Sequence, residues 1–496
     1  MVQPAVRRRP PSTRTLVALL VTTAVVGLCW AFLVPAWQVA DEPQHFSYVE
    51  TLAENHHLPE AGGGGLYASD LYKGLAATNF NAPIFLTGAV PEWSHEKAAR
   101  DRRLMQRAAS DNGGGATQAS NNPPVYYLFD VPPYLAAKGA ATTTRLYVLR
   151  SWNVLLLLAN TAFAWLLVGE LVSRRLLPRL AGAATVGLWP MASFLTAAVN
   201  PDGMLLAVWT AVFAVGARCA IRGLTLRRGI TLGVLVGFAC LVKATSFALI
   251  PGTLALVAWG LWQRRRELAL PRLAVMAAAV LLALVVLPLA WRLYPHPGGG
   301  AFGQVSAAAS ASGLNLNRLA SYLWQFYLPP LGFMEPATSL YPIVSTRPVL
   351  NTWVAMSIGT FGWANVWFPG WVYWSAASVV AVMAAVAAVG VHRRRRMGRH
   401  LVRPRLIALG YIASCTAAII AGTHWTDYNF FISGAGPFAQ GRYILPGVLP
   451  VLAITVAAAV ASFRQRSGLL AGGWVAGLLV LQMSSIGLLI DRWYVA

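Results

Sequence analysis

Apolar stretches long enough to cross a bilayer recur along this chain, separated mostly by short polar segments and twice by long ones. A span takes about 20 mostly apolar residues. The first such run covers residues 16–34. A segment rich in Gly and Asn follows over 36–144, far longer than an ordinary connection. Within it, 125–137 is apolar and aromatic but too short to span, which predicts a helix along the membrane surface. Further runs cover 146–168, 180–199, a stretch returning to Arg218 and Arg222, 230–262, 273–293, 371–391, 406–421, 444–460 and 469–490. Lys243 and Pro251 break 230–262 into two shortish helices that meet near Lys243. A second long segment, 294–369, carries 319–333 and 353–367, both aromatic-rich and interrupted, which read as re-entrant or surface-lying helices. The pattern predicts an all-α polytopic membrane protein, a single domain over 1–496 with about eleven transmembrane helices and two large extracytoplasmic loops at 36–144 and 294–369. No internal repeat with matched broken helices is visible, a feature that would favour a secondary transporter.

Charge gives these runs a sidedness. Charged residues are 11% of the chain, roughly half the share in an ordinary soluble domain. The net charge of +22 sits in short clusters between apolar runs: Arg7 to Arg9, Arg174-Arg175, Arg227-Arg228, Arg264 to Arg266, Arg393 to Arg396, and Arg464 with Arg466. Such clusters mark cytoplasmic loops, so the N-terminus is expected inside and both long segments outside. No basic stripe is interleaved with aromatics, so the charge reports topology and not nucleic acid. Cys29, Cys219, Cys240 and Cys415 lie in or beside apolar runs without CxxC spacing, which argues against a zinc knuckle or a redox pair. The basic start and apolar stretch are like a signal peptide, but the stretch is long and lacks an obvious cleavage site. It reads as a retained first helix.

On this topology the outer face collects the unusual polar residues. Asp41, Glu42 and His45 follow the first span; Asn122, Tyr126 and Tyr127 close the first loop. Asn200 and Asp202 mark the next outer turn, Lys243 and Thr245 the one after, and Gln440 and Arg442 open the 444–460 helix. Acidic side chains at a membrane boundary are costly to keep there. A carboxylate in that position can serve as a general base or hold a cation. His45 is four residues from Asp41 and three from Glu42. On a helix the three would share a face and form a candidate site for a divalent cation: Mg, Mn or Ca. The alternative is that Asp41-Glu42, with Pro43, caps a surface helix and that 200–203 is a plain turn. Arg442 lies outside against the charge bias, at a helix N-terminus, and both features attract an anion such as phosphate. Lys243 is a second cation for that anion, unless it only snorkels to the interface.

Six motifs, in order along the chain, carry a family resemblance. They are Asp41-Glu42-Pro43-x-His45-Phe46, Asn122-Pro123-Pro124-x-Tyr126-Tyr127, Asn200-Pro201-Asp202, Leu241-x-Lys243-x-Thr245, Phe361-Gly362-Trp363 and Gln440-Gly441-Arg442-Tyr443-x-x-Pro446. Through them the chain resembles, over nearly its whole length, the bacterial membrane-protein family catalogued as domain of unknown function 2142. More widely it resembles GT-C-fold glycosyltransferases such as protein O-mannosyltransferases, the lipid A aminoarabinose transferase and mycobacterial arabinosyltransferases. These too have a first span, then an acidic motif, then a long outer loop with surface helices.

The resemblance implies a sugar donor on polyprenyl phosphate and a loop acid acting as base or lying near a metal, a role that falls on Asp41 with Glu42 as runner-up. Many relatives carry a His where this chain has Asn122, which weakens a histidine metal ligand there. Arg442 and Lys243 would meet the donor phosphate, and Tyr126, Tyr127, Trp363 and Trp367 could stack on sugar rings or form an interfacial aromatic belt. No large soluble domain follows the last apolar run, so acceptor recognition is expected from the outer loops or a partner. The expectation is an inverting transferase in the bacterial plasma membrane, active on its outer face, that delivers sugar to a cell-envelope glycan or lipid. The rival readings are a transporter or flippase of a lipid-linked glycan, and a non-catalytic scaffold in a cell-envelope assembly.

Overall fold

The computed structural model describes residues 11–59, 66–86, 88–90, 94–114, 117–293, 315–334, 345–395, 403–434 and 436–495. The Arg7 to Arg9 cluster, Arg396, and the 294–314 and 335–344 portions of the second long segment lie outside the described residues. The helices are α1 (Pro11–Leu33), α2 (Glu42–Glu54), α3 (Ser69–Ala77), α4 (Ala82–Phe85), α5 (His95–Gln106), α6 (Val125–Ala136), α7 (Thr142–Leu171), α8 (Leu176–Gly187), α9 (Pro190–Thr196), α10 (Pro201–Arg222), α11 (Leu226–Val242), α12 (Leu249–Arg264), α13 (Leu270–Leu293), α14 (Leu316–Tyr327), α15 (Met356–Gly359), α16 (Gly370–Arg395), α17 (Arg403–Ile432), α18 (Leu445–Ser462) and α19 (Ser467–Ile490).

Among the described residues, nine helices are long and apolar enough to cross a membrane. Two of the expected eleven spans fall short of that measure for identifiable reasons. The 180–199 run is split into α8 and α9, because Pro190 has no amide to continue the ladder and starts a new helix. The helix α11 has 17 residues and stops where Lys243 turns to an extended conformation. In the other direction, the run expected over 406–421 belongs to a longer helix, the 30 residues of α17.

The segment 353–367 also differs from expectation. In place of a re-entrant or surface-lying helix it forms a π-helical turn (Leu350–Ala355), the four-residue α15, and a hairpin of β1 (Thr360–Phe361) and β2 (Val366–Trp367). Thr360 pairs with Trp367 and Phe361 with Val366, antiparallel. Gly362 (φ 64°) and Ala364 (φ 63°) carry the left-handed turn, and Asn365 Oδ1 accepts the Trp363 amide at 3.1 Å.

Two apolar cores hold the bundle. One joins the first-loop helices to α7, α10, α11 and α17; the other joins α1, α8, α9, the hairpin, α16, α18 and α19. Between helices in a membrane, small residues permit close approach where large ones cannot. A Cβ on Gly182 of α8 would stand 2.6 Å from Val168 Cγ2 and 2.9 Å from the Ala453 carbonyl oxygen. The first loop is fastened by charge. Arg145, at the start of α7, pairs with Glu50 of α2 at 3.3 Å and with Asp70 of α3, and donates to Tyr134 of α6. Asp70 also accepts from Thr142 Oγ1 at 2.9 Å. Burial, then the neighbouring Asp70, pushes Glu50 well above the usual carboxylate range.

Gly182→Val is expected to lower stability by roughly 1–3 kcal/mol or more, as overpacking does. The readout is the thermal unfolding midpoint in detergent, and an unchanged midpoint would show that α8 does not pack this closely on α7 and α18.

Candidate functional site

The site forms where five separated segments meet. It starts at the turn between α1 and α2. Asp41 has a left-handed backbone (φ 66°, ψ 0°), a conformation aspartate tolerates better than most residues. It stands just ahead of α2, and its carbonyl accepts the His45 amide at 3.1 Å. Because Asp41 is outside the helix, its carboxylate and that of Glu42 diverge.

Glu42, the first helical residue, is fully buried and faces Arg150 of α7. Arg150 Nε reaches Oε1 at 2.8 Å and Nη2 reaches Oε2 at 2.5 Å, a bidentate pair with both side chains fully buried. The same guanidinium donates to the carbonyls of Ala31, Val34 and Pro35, and Glu42 Oε1 also accepts the Val199 amide at 3.2 Å. Glu42 thus ties the end of α1, the start of α2, α7 and the approach to α10 together.

Asp41 turns the other way. Its Oδ2 accepts Arg442 Nη2 at 2.6 Å, and its side chain keeps 30% of its exposure. Burial by itself would raise the Asp41 carboxyl; Arg442, followed by His45 and Lys243, outweighs it and holds the group below its ordinary range. Arg442 lies in a single 3-10 turn (Gly441–Tyr443) just before the N-terminus of α18. A second pair lies beside the first: Lys243 Nζ reaches Asp202 Oδ1 at 2.6 Å. Tyr443 links the two, with the Arg442 guanidinium 5.1 Å and the Lys243 ammonium 5.2 Å from its ring centre. Asn200 caps α10 by accepting the Asp202 amide at 2.9 Å, and both residues are buried. Among the described residues, several buried polar atoms of these segments have no hydrogen-bond partner: Arg442 Nε and Asn200 Nδ2 as donors, Asp202 Oδ2 as acceptor, and Thr245 Oγ1. Buried polar groups are normally satisfied, so this set points to a polar guest.

His45 Nδ1 lies 2.9 Å from Tyr127 Oη, which accepts from Asn122 Nδ2 at 3.0 Å. Burial drives the imidazole down to about 4 against the pull of Asp41, so His45 is neutral at physiological pH. Tyr127 stacks on Tyr48 with ring centres 3.7 Å apart. Tyr126 is fully buried and accepts from Asn153 Nδ2 at 3.2 Å beside Asp130, whose carboxyl burial raises to about 7.

Neither Tyr126 nor Tyr127 therefore offers a face for stacking on a sugar; both are packed between α2, α6 and α7. Trp363 is half-buried and donates to the Trp37 carbonyl at 3.1 Å, while Trp367 remains exposed on the hairpin. Gln440 is half-buried beside Arg442, and its carbonyl accepts the Tyr443 amide at 3.0 Å.

The cation triad of Asp41, Glu42 and His45 does not assemble. Among the described residues no three His, Cys, Asp or Glu side chains gather as a metal ion requires. Glu42 is occupied by Arg150, and Asp41 and Asp202 each already hold a cationic side chain. A Mg, Mn or Ca ion at Asp41 and Asp202 would compete with Arg442 and Lys243 for them.

Arg150 was not among the residues picked from sequence, although its signal was there: an arginine inside the second apolar run, where an ionisable group is expected to have a partner. Tyr443, part of the last sequence motif, joins the site through its ring, and Asp427 accepts the amides of Phe438 and Ala439 at 2.7 and 2.6 Å just ahead of it.

The model of a family described as a predicted membrane protein (DUF2142) matches residues 24–452. No curated protein matches the chain. Among solved structures, the chain is similar to the oligosaccharyltransferase of Archaeoglobus fulgidus in its apo form, with TM-score 0.50, 13% identity, and coverage of 96% of this chain and 55% of that one. It is also similar to ArnT from Cupriavidus metallidurans bound to undecaprenyl phosphate (TM-score 0.45, 14% identity, 94% and 63% coverage). A third is AglB from Archaeoglobus fulgidus in complex with an inhibitory peptide and a dolichol-phosphate (TM-score 0.49, 12% identity, 96% and 55% coverage). The chain thus spans less than two thirds of the length of each. The likeness is one of fold, a polytopic GT-C arrangement of helices.

Arg150→Met leaves Glu42 buried and unpaired, which is expected to cost roughly 3–5 kcal/mol. Combining it with Glu42→Gln should recover part of that loss. A single variant as stable in thermal unfolding as the parent would show that the pair does not hold the α1–α2 turn.

Proposed function

The chain belongs to the DUF2142 family of membrane proteins, and we propose that it is an inverting glycosyltransferase that takes its sugar from a polyprenyl-phosphate carrier. One observation carries the reading: two cations, Arg442 and Lys243, stand around Tyr443, Arg442 beside a partly exposed carboxylate, and among the described residues Arg442 Nε and Asn200 Nδ2 are buried donors without a partner. Together they form an anion site next to a base. The fold likeness is consistent with this chemistry.

In this reading the donor's phosphodiester takes Arg442 from Asp41 and Lys243 from Asp202. Arginine suits the first role because its planar fork matches phosphate oxygens. Empty, the site balances two carboxylates against two cations, so the exchange leaves Asp41 without its strongest cationic partner. Its proton affinity rises as a result, and a poor base becomes a competent one once the donor is bound. Asp41 takes the proton of an acceptor hydroxyl as its oxygen attacks the anomeric carbon. The bond from that carbon to the phosphate oxygen breaks, its electron pair stays on the polyprenyl phosphate, and the configuration inverts. Arg442, Lys243 and Asn200 stabilise the charge developing on the leaving phosphate. No step uses a metal ion. With 36–144 and 294–369 extracytoplasmic, transfer takes place at the outer face of the bacterial plasma membrane, and the acceptor is a cell-envelope glycan or lipid.

With radiolabelled polyprenyl-phosphate sugars and purified protein, Asp41→Asn should cut turnover by roughly 10²–10⁴-fold. Donor binding should be unchanged or tighter, since the competitor for Arg442 has lost its charge. Arg442→Ala should weaken donor binding more than Arg442→Lys. Turnover indifferent to both positions would remove the site from the reaction.

The pH profiles should separate. kcat/KM reports the free enzyme, in which Asp41 titrates below the usual carboxylate value of about 3.9. Its acid limb should therefore lie below that value, whereas the limb of kcat, which reports the donor complex, should lie at higher pH. Coincident limbs would mean that Arg442 stays on Asp41 throughout.

A further inference from the structure

Behind Arg442 lies a chain of hydrogen bonds that the reaction proposed above does not use. Asp427, near the end of α17, has both oxygens engaged. Oδ1 accepts the amides of Phe438 and Ala439 at 2.7 and 2.6 Å, and Oδ2 accepts the hydroxyl of Tyr322 at 2.6 Å. Tyr322 lies on α14, within the second long polar segment. Because its one proton goes to the carboxylate, its oxygen accepts from His424 Nδ1 at 3.1 Å. That sets the histidine tautomer: Nε2 is the acceptor, and the hydroxyl of Tyr327 donates to it at 2.8 Å. Trp353 Nε1 donates in turn to Tyr327 Oη at 3.3 Å. The side-chain donors run from the π-turn through α14 and α17 to Asp427, and the backbone amides at 438–439 donate to the same carboxylate from the other side.

Three residues further on is Arg442. The intervening loop has little freedom. A Cβ at Gly441 would meet the Ser357 amide nitrogen at 2.5 Å and the Thr352 carbonyl oxygen at 2.6 Å, and Phe438 stacks on Tyr443 with ring centres 4.9 Å apart. The Phe438–Tyr443 stacking links the segment that Asp427 anchors to the ring on which the Arg442 guanidinium lies.

We infer that Asp427, held by Tyr322, is a positioning residue for Arg442, so that the second-loop helix α14 sets the affinity of the site for a lipid phosphate. The inference rests on the anion site proposed above. Two anchored amides and a hydroxyl on one carboxylate make charge-assisted bonds, stronger than neutral ones. Losing them costs placement of the guanidinium without removing the guanidinium itself.

The test is binding of undecaprenyl phosphate, with no sugar and no acceptor, to the full chain in detergent. Asp427→Ala should weaken it by about tenfold or more, the scale of one or two charge-assisted bonds. Asp427→Asn, which keeps an acceptor for the two amides, should lose less, and Tyr322→Phe should also lose less. In an Arg442→Ala background none of the three should cause further loss, because they act through Arg442. A general structural defect would instead weaken both backgrounds. If Asp427→Ala does not fold, the Asn and Phe variants carry the same comparison. Parent-like binding by the variants, or losses that multiply in the Arg442→Ala background, would overturn the inference. If Arg442→Ala alone leaves binding unchanged, the anion site itself fails, a result distinct from failure of Asp427 alone.

Discussion

A buried arginine and a buried glutamate hold this structure in register. Removing either charge from water is expensive, and only a well-formed pair with further hydrogen bonds offsets that cost. Glu42 and Arg150 meet this condition. The carboxylate is gripped in two places and accepts a backbone amide, and the guanidinium also satisfies three carbonyls at the end of α1. The orphan carbonyls of a helix end need partners; here they receive them from a side chain on another helix. The turn between α1 and α2 is thereby fixed, and Asp41 is the residue that turn presents. The adjacent acids have separate settings, Glu42 fully buried against Arg150 and Asp41 partly exposed beside Arg442.

The second constraint is electrostatic balance. Asp41, Asp202, Arg442 and Lys243 form two pairs with no net charge, bridged by one tyrosine ring. Alongside these pairs stand buried donors that have no partner among the described residues. In the proposed reaction an entering phosphate finds both cations gathered at one ring and exchanges them from their carboxylates. Under the proposed function the same balance would let one carboxylate rest beside an arginine and then serve as a base, its strength depending on where the arginine points.

Much of the architecture was legible in the sequence because membrane spans announce themselves by length and apolarity. What was lost were breaks set by single residues, such as Pro190 in the 180–199 run, and the hairpin at 360–367, whose aromatic content suits either a surface helix or a short strand pair. Site residues were legible where polar groups stood out at the ends of apolar runs: Asp41, Asp202, Lys243 and Arg442 meet as two ion pairs. Their pairing was not legible, because spacing along one segment says nothing of partners 401 residues away, as Asp41 and Arg442 are. The helical-face argument for Asp41, Glu42 and His45 failed because Asp41 lies before the helix in a left-handed conformation. The tyrosines Tyr126 and Tyr127 looked like ligand platforms, but they hydrogen-bond inward, a distinction that depends on packing alone.

The most direct test of the account is an experimental structure of the protein with undecaprenyl phosphate bound. The account predicts the phosphate between Arg442 and Lys243, with Arg442 withdrawn from Asp41 and the Glu42–Arg150 pair unchanged. A phosphate bound elsewhere, with the Asp41–Arg442 pair intact, would contradict it.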